Sequence, residues 1–182
     1  MPARANLHPP VNLDSAEPGS LENEVVALFD QWRGKLLRYT LRIGVTVQDG
    51  EEVIQETFLS LFRHLQSGKS RENLQGWLFR VAHNLALRRC QRSRSSPEAL
   101  DGLDMAAIDP SPGPEAQFSD SQTRERLLAV VHALPEQDRR CLFLRAEGLR
   151  YREIAAVLDI SLGAVSLSLS RSLARIGRAA ER

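Results

Sequence analysis

No apolar run in this chain approaches the roughly 20 residues that a bilayer-spanning helix needs. Membrane insertion is therefore not expected. The first residues, MPARANLHPPVNLDSAEPGS, lack the apolar h-region of a signal peptide. Cysteine is scarce: Cys90 and Cys141 are the two present, and neither belongs to a CxxC pair. That argues against a disulfide framework or a zinc site and fits a reducing cytoplasm. His8, His64, His83 and His132 are scattered, with neither HExxH nor a His/Cys ligand spacing. They read as helix-surface or partly buried residues, not as metal ligands. No strand of useful length and no internal repeat is visible. An excess of charge is missing too: 24 basic and 23 acidic residues leave a net charge of +1. Bulk charge does not announce nucleic acid, so the placement of charge must decide.

Catalytic patterns are equally thin. Ser67-Gly68-Lys69-Ser70 contains the tail of a P-loop, but the motif needs Gly five residues before Gly68, and Arg63 stands there. No strand precedes it. Asp49, Glu51, Glu52 and Glu56 cluster without a nucleophile or a histidine beside them. A solvated or protein-docking helix face explains that cluster better than catalysis does. No cofactor and no catalytic residue are expected.

What the chain does have is helical periodicity. A composition 42% hydrophobic and 26% charged suits a globular protein, and 182 residues suit one or two small domains. Residues 1–20 are polar and Pro-rich and read as a disordered tail. Residues 21–94 read as one helical domain. Val25, Leu28, Phe29, Trp32, Leu36, Leu37, Tyr39 and Leu41 mark a first helix ending near Gly44. A second runs from Asp49, its expected N-cap, to Leu65, with Val53, Phe58, Leu61, Phe62 and Leu65 inward. A third runs from Asn73 to Ser93. Residues 95–118, with Pro97, Pro110, Pro112 and Pro114, read as a flexible Pro-rich linker, with a short turn near Leu100 to Ala107. Residues 119–182 form a second helical domain: Ser119 to Ala133, Pro135 to Glu147, then two short helices. The expected fold is all-α.

Those last two helices carry most of the information. The first places Tyr151, Ile154, Ala155 and Leu158 on one stripe; the second places Leu162, Val165, Leu169, Leu173 and Ile176 on one stripe. Asp159-Ile160-Ser161 between them has the length of a helix-turn-helix turn. Duplex DNA is the implied ligand. Yet no charged residue lies between Ser161 and Ser170, where the reading helix should begin. Upstream, Arg80, Arg88, Arg89, Arg92 and Arg94 follow one another with no acid among them. Trp77 sits one turn before Arg80, and Lys69 and Arg71 lie in the preceding loop. Such a mixture suits unpaired nucleic acid. Trp77 itself shares a helix side with Leu74, Leu78 and Val81, which assigns its ring to the core. An acidic helix beside a basic one implies two different partners.

The residues now carry a family resemblance. Asp49-Gly50-Glu51-Glu52-Val53-Ile54-Gln55-Glu56-Thr57-Phe58 resembles the acidic helix of sigma-70 family factors in the extracytoplasmic-function (ECF) group. Asn73-Leu74-Gln75-Gly76-Trp77-Leu78-Phe79-Arg80-Val81-Ala82-His83-Asn84-Leu85-Ala86 resembles that family's Trp-Leu…Ala-x-Asn helix. Leu134-Pro135-Glu136, Tyr151-Arg152-Glu153-Ile154-Ala155 and Ser161-Leu162-Gly163-Ala164-Val165 resemble its C-terminal domain. The resemblance implies a sigma factor that directs RNA polymerase core to promoters. It implies that Asp49, Glu51, Glu52, Gln55, Glu56 and Phe58 dock on the β′ clamp helices. It assigns the melted −10 element to Lys69, Arg71, Asn73, Trp77, Arg80, Asn84, Arg88 and Arg89. It assigns the −35 duplex to Arg150, Ser161, Ala164, Ser166, Leu167, Ser168, Arg171 and Arg175, with the polymerase β flap as a further contact. An anti-sigma factor is an implied partner.

One departure stands out. Where the family usually has Lys or Arg, this chain has Ser166 and Ser168. The helical wheel sets Ala164, Leu167, Ser168, Arg171 and Arg175 on one side. Ala, Ser and Leu can touch thymine methyls but cannot make bidentate contacts to guanine. Direct −35 readout is then weak and leans on Arg150, Arg171 and Arg175 against phosphates and on DNA shape. Two alternatives stay open: a dimeric helix-turn-helix regulator resembling the LuxR output domain, and a degenerate sigma-like interaction protein. A flexible linker leaves the two domains without a fixed arrangement until polymerase or an inhibitor supplies one.

Overall fold

The computed structural model describes residues 18–94 and 117–180; the side chains of residues 18–20, 93–94 and 117–123 are outside that description. The expected turn near Leu100 to Ala107 and most of the expected tail and linker lie outside the described residues. Among those described there are seven helices and no strand: α1 (Pro18–Arg42), α2 (Val47–Gln66), α3 (Leu74–Arg94), α4 (Gln117–His132), α5 (Glu136–Ala146), α6 (Tyr151–Leu158) and α7 (Leu162–Ala180). The all-α expectation holds.

Helices α1, α2 and α3 form the first block. Leu36, Tyr39, Val53, Ile54, Leu61, Leu78, Phe79 and Ala82 are fully buried between them. Each large side chain so buried contributes roughly 1.5–3 kcal/mol. Helix α2 begins earlier than its acids suggest. Its N-cap is Thr46, not Asp49: the Thr46 hydroxyl accepts from the Asp49 amide at 3.2 Å and donates to the Asp49 carboxylate at 2.9 Å. Asp49 instead lies in the first turn, where its charge favours the positive end of the helix dipole.

Helix α3 starts at a tight corner. Asn73 has φ of 52°, and its side-chain oxygen accepts from the Gly76 amide at 3.2 Å. A Cβ on Gly76 would stand 2.6 Å from the Asn73 amide nitrogen. Glycine is therefore what allows Asn73 to fold back over the first turn.

The second block is α4 to α7. Its buried residues include Cys141, Leu144, Leu149, Ile154, Val157, Val165 and Leu169. Gly148, at φ of 95°, turns the chain out of α5 and into α6. Helices α6 and α7 are bent 106° apart across Asp159, which takes the left-handed conformation at φ 53° and ψ 47°. The Ser161 hydroxyl accepts from the Ala164 amide at 3.1 Å and so caps α7. No single described helix is long and apolar enough to cross a membrane.

The register of α7 departs from the expected stripe. Leu162 and Leu173 were expected inward, yet they are 48% and 58% exposed. The inward face is Val165, Ser168, Leu169 and Ser172, with the two serines fully buried. Small side chains at i and i+4 let α7 pack closely on both α4 and α5. The Ser172 hydroxyl donates back to the Ser168 carbonyl at 2.8 Å, which removes one polar burden. Tyr151, also expected inward, is exposed.

The two blocks do not stand apart. α3 packs on α6, α1 touches α5, and the buried residues of both blocks join in one continuous cluster. These contacts between the blocks involve no partner chain.

Candidate functional site

Three surfaces are assembled by this fold. The first is the outward stripe of α2. Glu52, Gln55, Glu56 and Leu59 repeat at helical spacing and are exposed, and Glu51 is partly so. Phe58 is not part of that stripe. It is buried and meets Phe29 edge-on, with ring centroids 5.0 Å apart. The exposed apolar residue beside the acids is Leu59, at 49%. Sequence periodicity alone offered the clue, since Leu59 falls outside the Val53–Phe58–Leu61–Leu65 set.

The acids are partly neutralised from within the block. Arg89 of α3 reaches Glu52, lies 3.3 Å from the Asp49 carboxylate and 3.9 Å from that of Glu56. Hydrogen bonding to Glu52 and Asp49 pushes the Arg89 guanidinium above its ordinary range. Arg33 of α1 pairs with Glu51 at 2.6 Å. Arg89 thus faces the acidic stripe, away from the role expected of it in melted DNA. The reason is geometric: it lies one residue round the helix from Arg88, on the side that packs toward α2.

The second surface is the far side of α3 and the loop before it. Arg80, Asn84 and Arg88 are exposed, as is Lys69. None of the three basic residues has a carboxylate partner among the described residues. Arg71 does: it grips Glu24 of α1 through two contacts of 3.1 Å. Trp77 is half-buried, packed against the core and tilted over His64 with centroids 4.7 Å apart. The residue stays partly exposed, three positions before the exposed Arg80. Asn73 spends its side-chain oxygen on the α3 cap. Lys69, Trp77, Arg80, Asn84 and Arg88 form the usable set.

The third surface is the helix-turn-helix. The exposed residues at the start of α7 are Leu162, Gly163, Ser166, Leu167 and Ser170. Leu167 stands 56% exposed in their midst. Ser168 is a correction: it is fully buried, so it cannot reach a base edge. Its hydroxyl borders the Cys141 thiol without closing a full hydrogen bond, and burial pushes that thiol up. Ala164 is half-buried, and Ser161 is committed to the cap. Arg171 pairs with the buried Asp138 of α5 at 3.0 Å. Arg150 and Arg175 are exposed. The Arg150 amide donates to Glu153 at 2.6 Å, which fixes the entry to α6.

Beneath the second surface lies a buried polar pair. Tyr39 and His83 share a hydrogen bond of 2.8 Å between the phenol and Nδ1. Burial, and secondarily the Arg140 guanidinium of α5, lowers His83 to a pKa of about 4. Burial pushes the Tyr39 phenol well above its ordinary range. Both are neutral near pH 7, so they hold the core together and do no proton chemistry.

An acidic helix stripe, a basic helix with an accessible aromatic, and a helix-turn-helix together define a two-part helical nucleic-acid-binding protein. Comparison with known proteins specifies it. The sigma-70 region 2 family model matches residues 28–96, and the sigma-70 region 4 model matches residues 124–176. The chain belongs to the sigma-70 family, in the ECF group. It is 33% identical over 147 residues to the ECF RNA polymerase sigma factor SigE of Mycolicibacterium smegmatis, covering 79% of this chain and 56% of that protein. The chain thus spans little more than half the length of that relative. The fold resembles the sigma factor RpoE solved with the anti-sigma factor NepR from Bartonella quintana, with a TM-score of 0.63, 18% identity, and coverage of 87% and 98% of the two chains. It also resembles CnrH solved with the cytosolic domain of CnrY, with a TM-score of 0.60, 19% identity, and coverage of 86% and 87%.

Proposed function

We propose that this chain is a sigma factor that directs bacterial RNA polymerase core to specific promoters. The observation that carries the reading is the separation of charge on two adjacent helices of one block. Glu52, Gln55, Glu56 and Leu59 present an acidic face with an apolar centre; Arg80, Asn84 and Arg88 present a basic face beside Trp77. The first suits the basic surface of a protein partner, the β′ clamp helices. The second suits single-stranded DNA of the −10 element. Extracting a base from the stack costs a few kcal/mol, and stacking plus phosphate contacts offset that cost. The polymerase performs the chemistry, and the sigma factor works by binding in the cytoplasm. An anti-sigma factor is a further partner, of the class solved with RpoE.

The helix-turn-helix takes the −35 duplex, and the β flap contacts the same block. Its reading face is built from Ser166, Leu167 and Ser170, not from cations. Leu167 suits thymine methyl groups, and serines make adaptable hydrogen bonds. Arg150 and Arg175 supply phosphate contacts that position α7 without reading sequence. The decisive experiment is run-off transcription with purified core polymerase: a discrete start site that depends on this chain supports the reading. A second reading, a sigma-like module that no longer reads DNA, rests on the uncharged face of α7. It requires core binding without specific initiation.

A further inference from the structure

Glu147 is in the wrong place for its own helix. It is the C-cap of α5, at the negative end of that helix dipole, where an anion is unfavourable. Its side chain is nevertheless only 4% exposed. Both carboxylate oxygens are held from the other block. Arg38 of α1 donates from Nη2 at 2.9 Å and from Nε at 3.3 Å, and Arg42 donates from Nη1 at 3.2 Å. Arg42 also lies over the Phe143 ring, 5.6 Å from its centroid. Among the described residues the Glu147 carboxylate is paired only with arginines of the other block, so it holds α5 against α1.

We propose that Glu147, Arg38 and Arg42 form an interdomain clasp that keeps the free factor closed in a form unable to occupy a promoter. The incompatibility with DNA, which rests on the sigma-factor reading, is one of length. Elements at −10 and −35 lie 25 base pairs apart, a rise of about 85 Å at 3.4 Å per pair. Here the −10 helix α3 packs directly on the −35 block through α6. Between the start of α3 and the helix-turn-helix remains a cleft of about 870 Å³ lined by Asn73, Gln75, Arg150, Tyr151, Arg152 and Leu162. The first turn of α3 thus faces the helix-turn-helix across it. The chain from Arg94 to Gln117 reaches roughly 80 Å when extended. The blocks can therefore separate far enough to span the two elements, but only after Glu147 leaves its arginines. Polymerase binding must supply that opening.

The test uses the full chain with a donor dye at Val26 and an acceptor at Leu128, both exposed and outside the three surfaces. The wild-type protein is expected to show a single high-transfer population that shifts to low transfer when core polymerase is added. Glu147→Gln, and separately Arg38→Ala with Arg42→Ala, should raise the open fraction roughly tenfold or more, because a buried charge network loses one side. Both variants should keep wild-type helix content. Low transfer in the free wild type overturns the clasp, as does unchanged transfer in variants that remain helical. Should the variants lose helix content, the wild-type measurement with and without core decides alone. Run-off transcription at limiting sigma factor is the separate arm. A clasp that restrains the factor predicts several-fold more transcript from Glu147→Gln than from wild type, and equal transcript contradicts the restraint. Absence of transcript from every form overturns the sigma reading while the transfer data still judge the clasp.

Discussion

Arg171, on α7, holds the buried carboxylate of Asp138, on α5, at 3.0 Å. The pair stitches the reading helix to the helix beneath it. A residue expected to seek phosphate is therefore also a structural tie. Arg171→Ala leaves a carboxylate that is 3% exposed without its partner. The expected loss of stability is roughly 1–3 kcal/mol, discounted because Arg171 itself is half exposed. Arg171→Lys should recover most of it. Chemical denaturation with constant m values checks this, and an unchanged midpoint in Arg171→Ala refutes the tie.

Arg175 separates DNA contact from folding. It is exposed and has no ion pair among the described residues. Arg175→Ala should leave the unfolding midpoint unchanged. It should weaken binding to −35 duplexes of any sequence and reduce the salt slope by about 1. A change in sequence preference without a change in slope would contradict a phosphate role.

Leu167 should set preference where Arg175 sets strength. Leu167→Ala is expected to weaken discrimination of thymine from uracil at one or more −35 positions, by roughly 1 kcal/mol or less, since one methyl contact is lost. The check is competition binding with duplexes in which single thymines are replaced by uracil. Equal discrimination by both proteins would remove Leu167 from base readout.

On α2, Leu59 and Phe58 should behave oppositely. Leu59→Ala is expected to weaken core polymerase binding with little loss of stability, because the side chain is half exposed. Phe58→Ala removes a buried ring that packs on Phe29 and should cost roughly 3–5 kcal/mol in stability. Pull-down of core, read beside thermal unfolding, distinguishes the two. Leu59→Ala binding at wild-type strength would exclude it from the docking face.

His83 should make the first block acid-sensitive. Its folded pKa of about 4 lies below the ordinary value of 6.5. The unfolded chain therefore binds the proton more readily, and stability falls as pH drops from about 6.5 through 4. The full effect is on the order of 3 kcal/mol. Above pH 6.5 it contributes no slope. His83→Gln should flatten the difference curve in that window while destabilising the protein at pH 7 through the lost Tyr39 bond. Parallel pH profiles for the two proteins would show that His83 is not the titrating group.

Helical content was legible because apolar spacing alone decides it. Every expected helix exists, and the turn at Asp159 falls where it was expected. The face of α7 was not legible. A hydropathy stripe puts leucines in and serines out, whereas close packing against α4 and α5 favours small Ser168 and Ser172 and turns Leu162 and Leu173 outward; Leu167 lies outward as expected. Pairings distant in sequence were also hidden. Nothing near Arg89 announces that it faces Asp49, Glu52 and Glu56, and Glu147 meets Arg38 across 109 residues. The charge map showed which helices were acidic or basic, but not which charges were already taken.

The most direct test of the whole account is run-off transcription with purified core polymerase on a randomised promoter pool, with and without this chain. The account predicts transcripts from a shared pair of elements spaced as −35 and −10, appearing only when the chain is present and lost with an Arg80→Ala, Arg88→Ala double variant that still folds. Start sites indistinguishable from those of core alone, with the chain folded and bound to core, would contradict it.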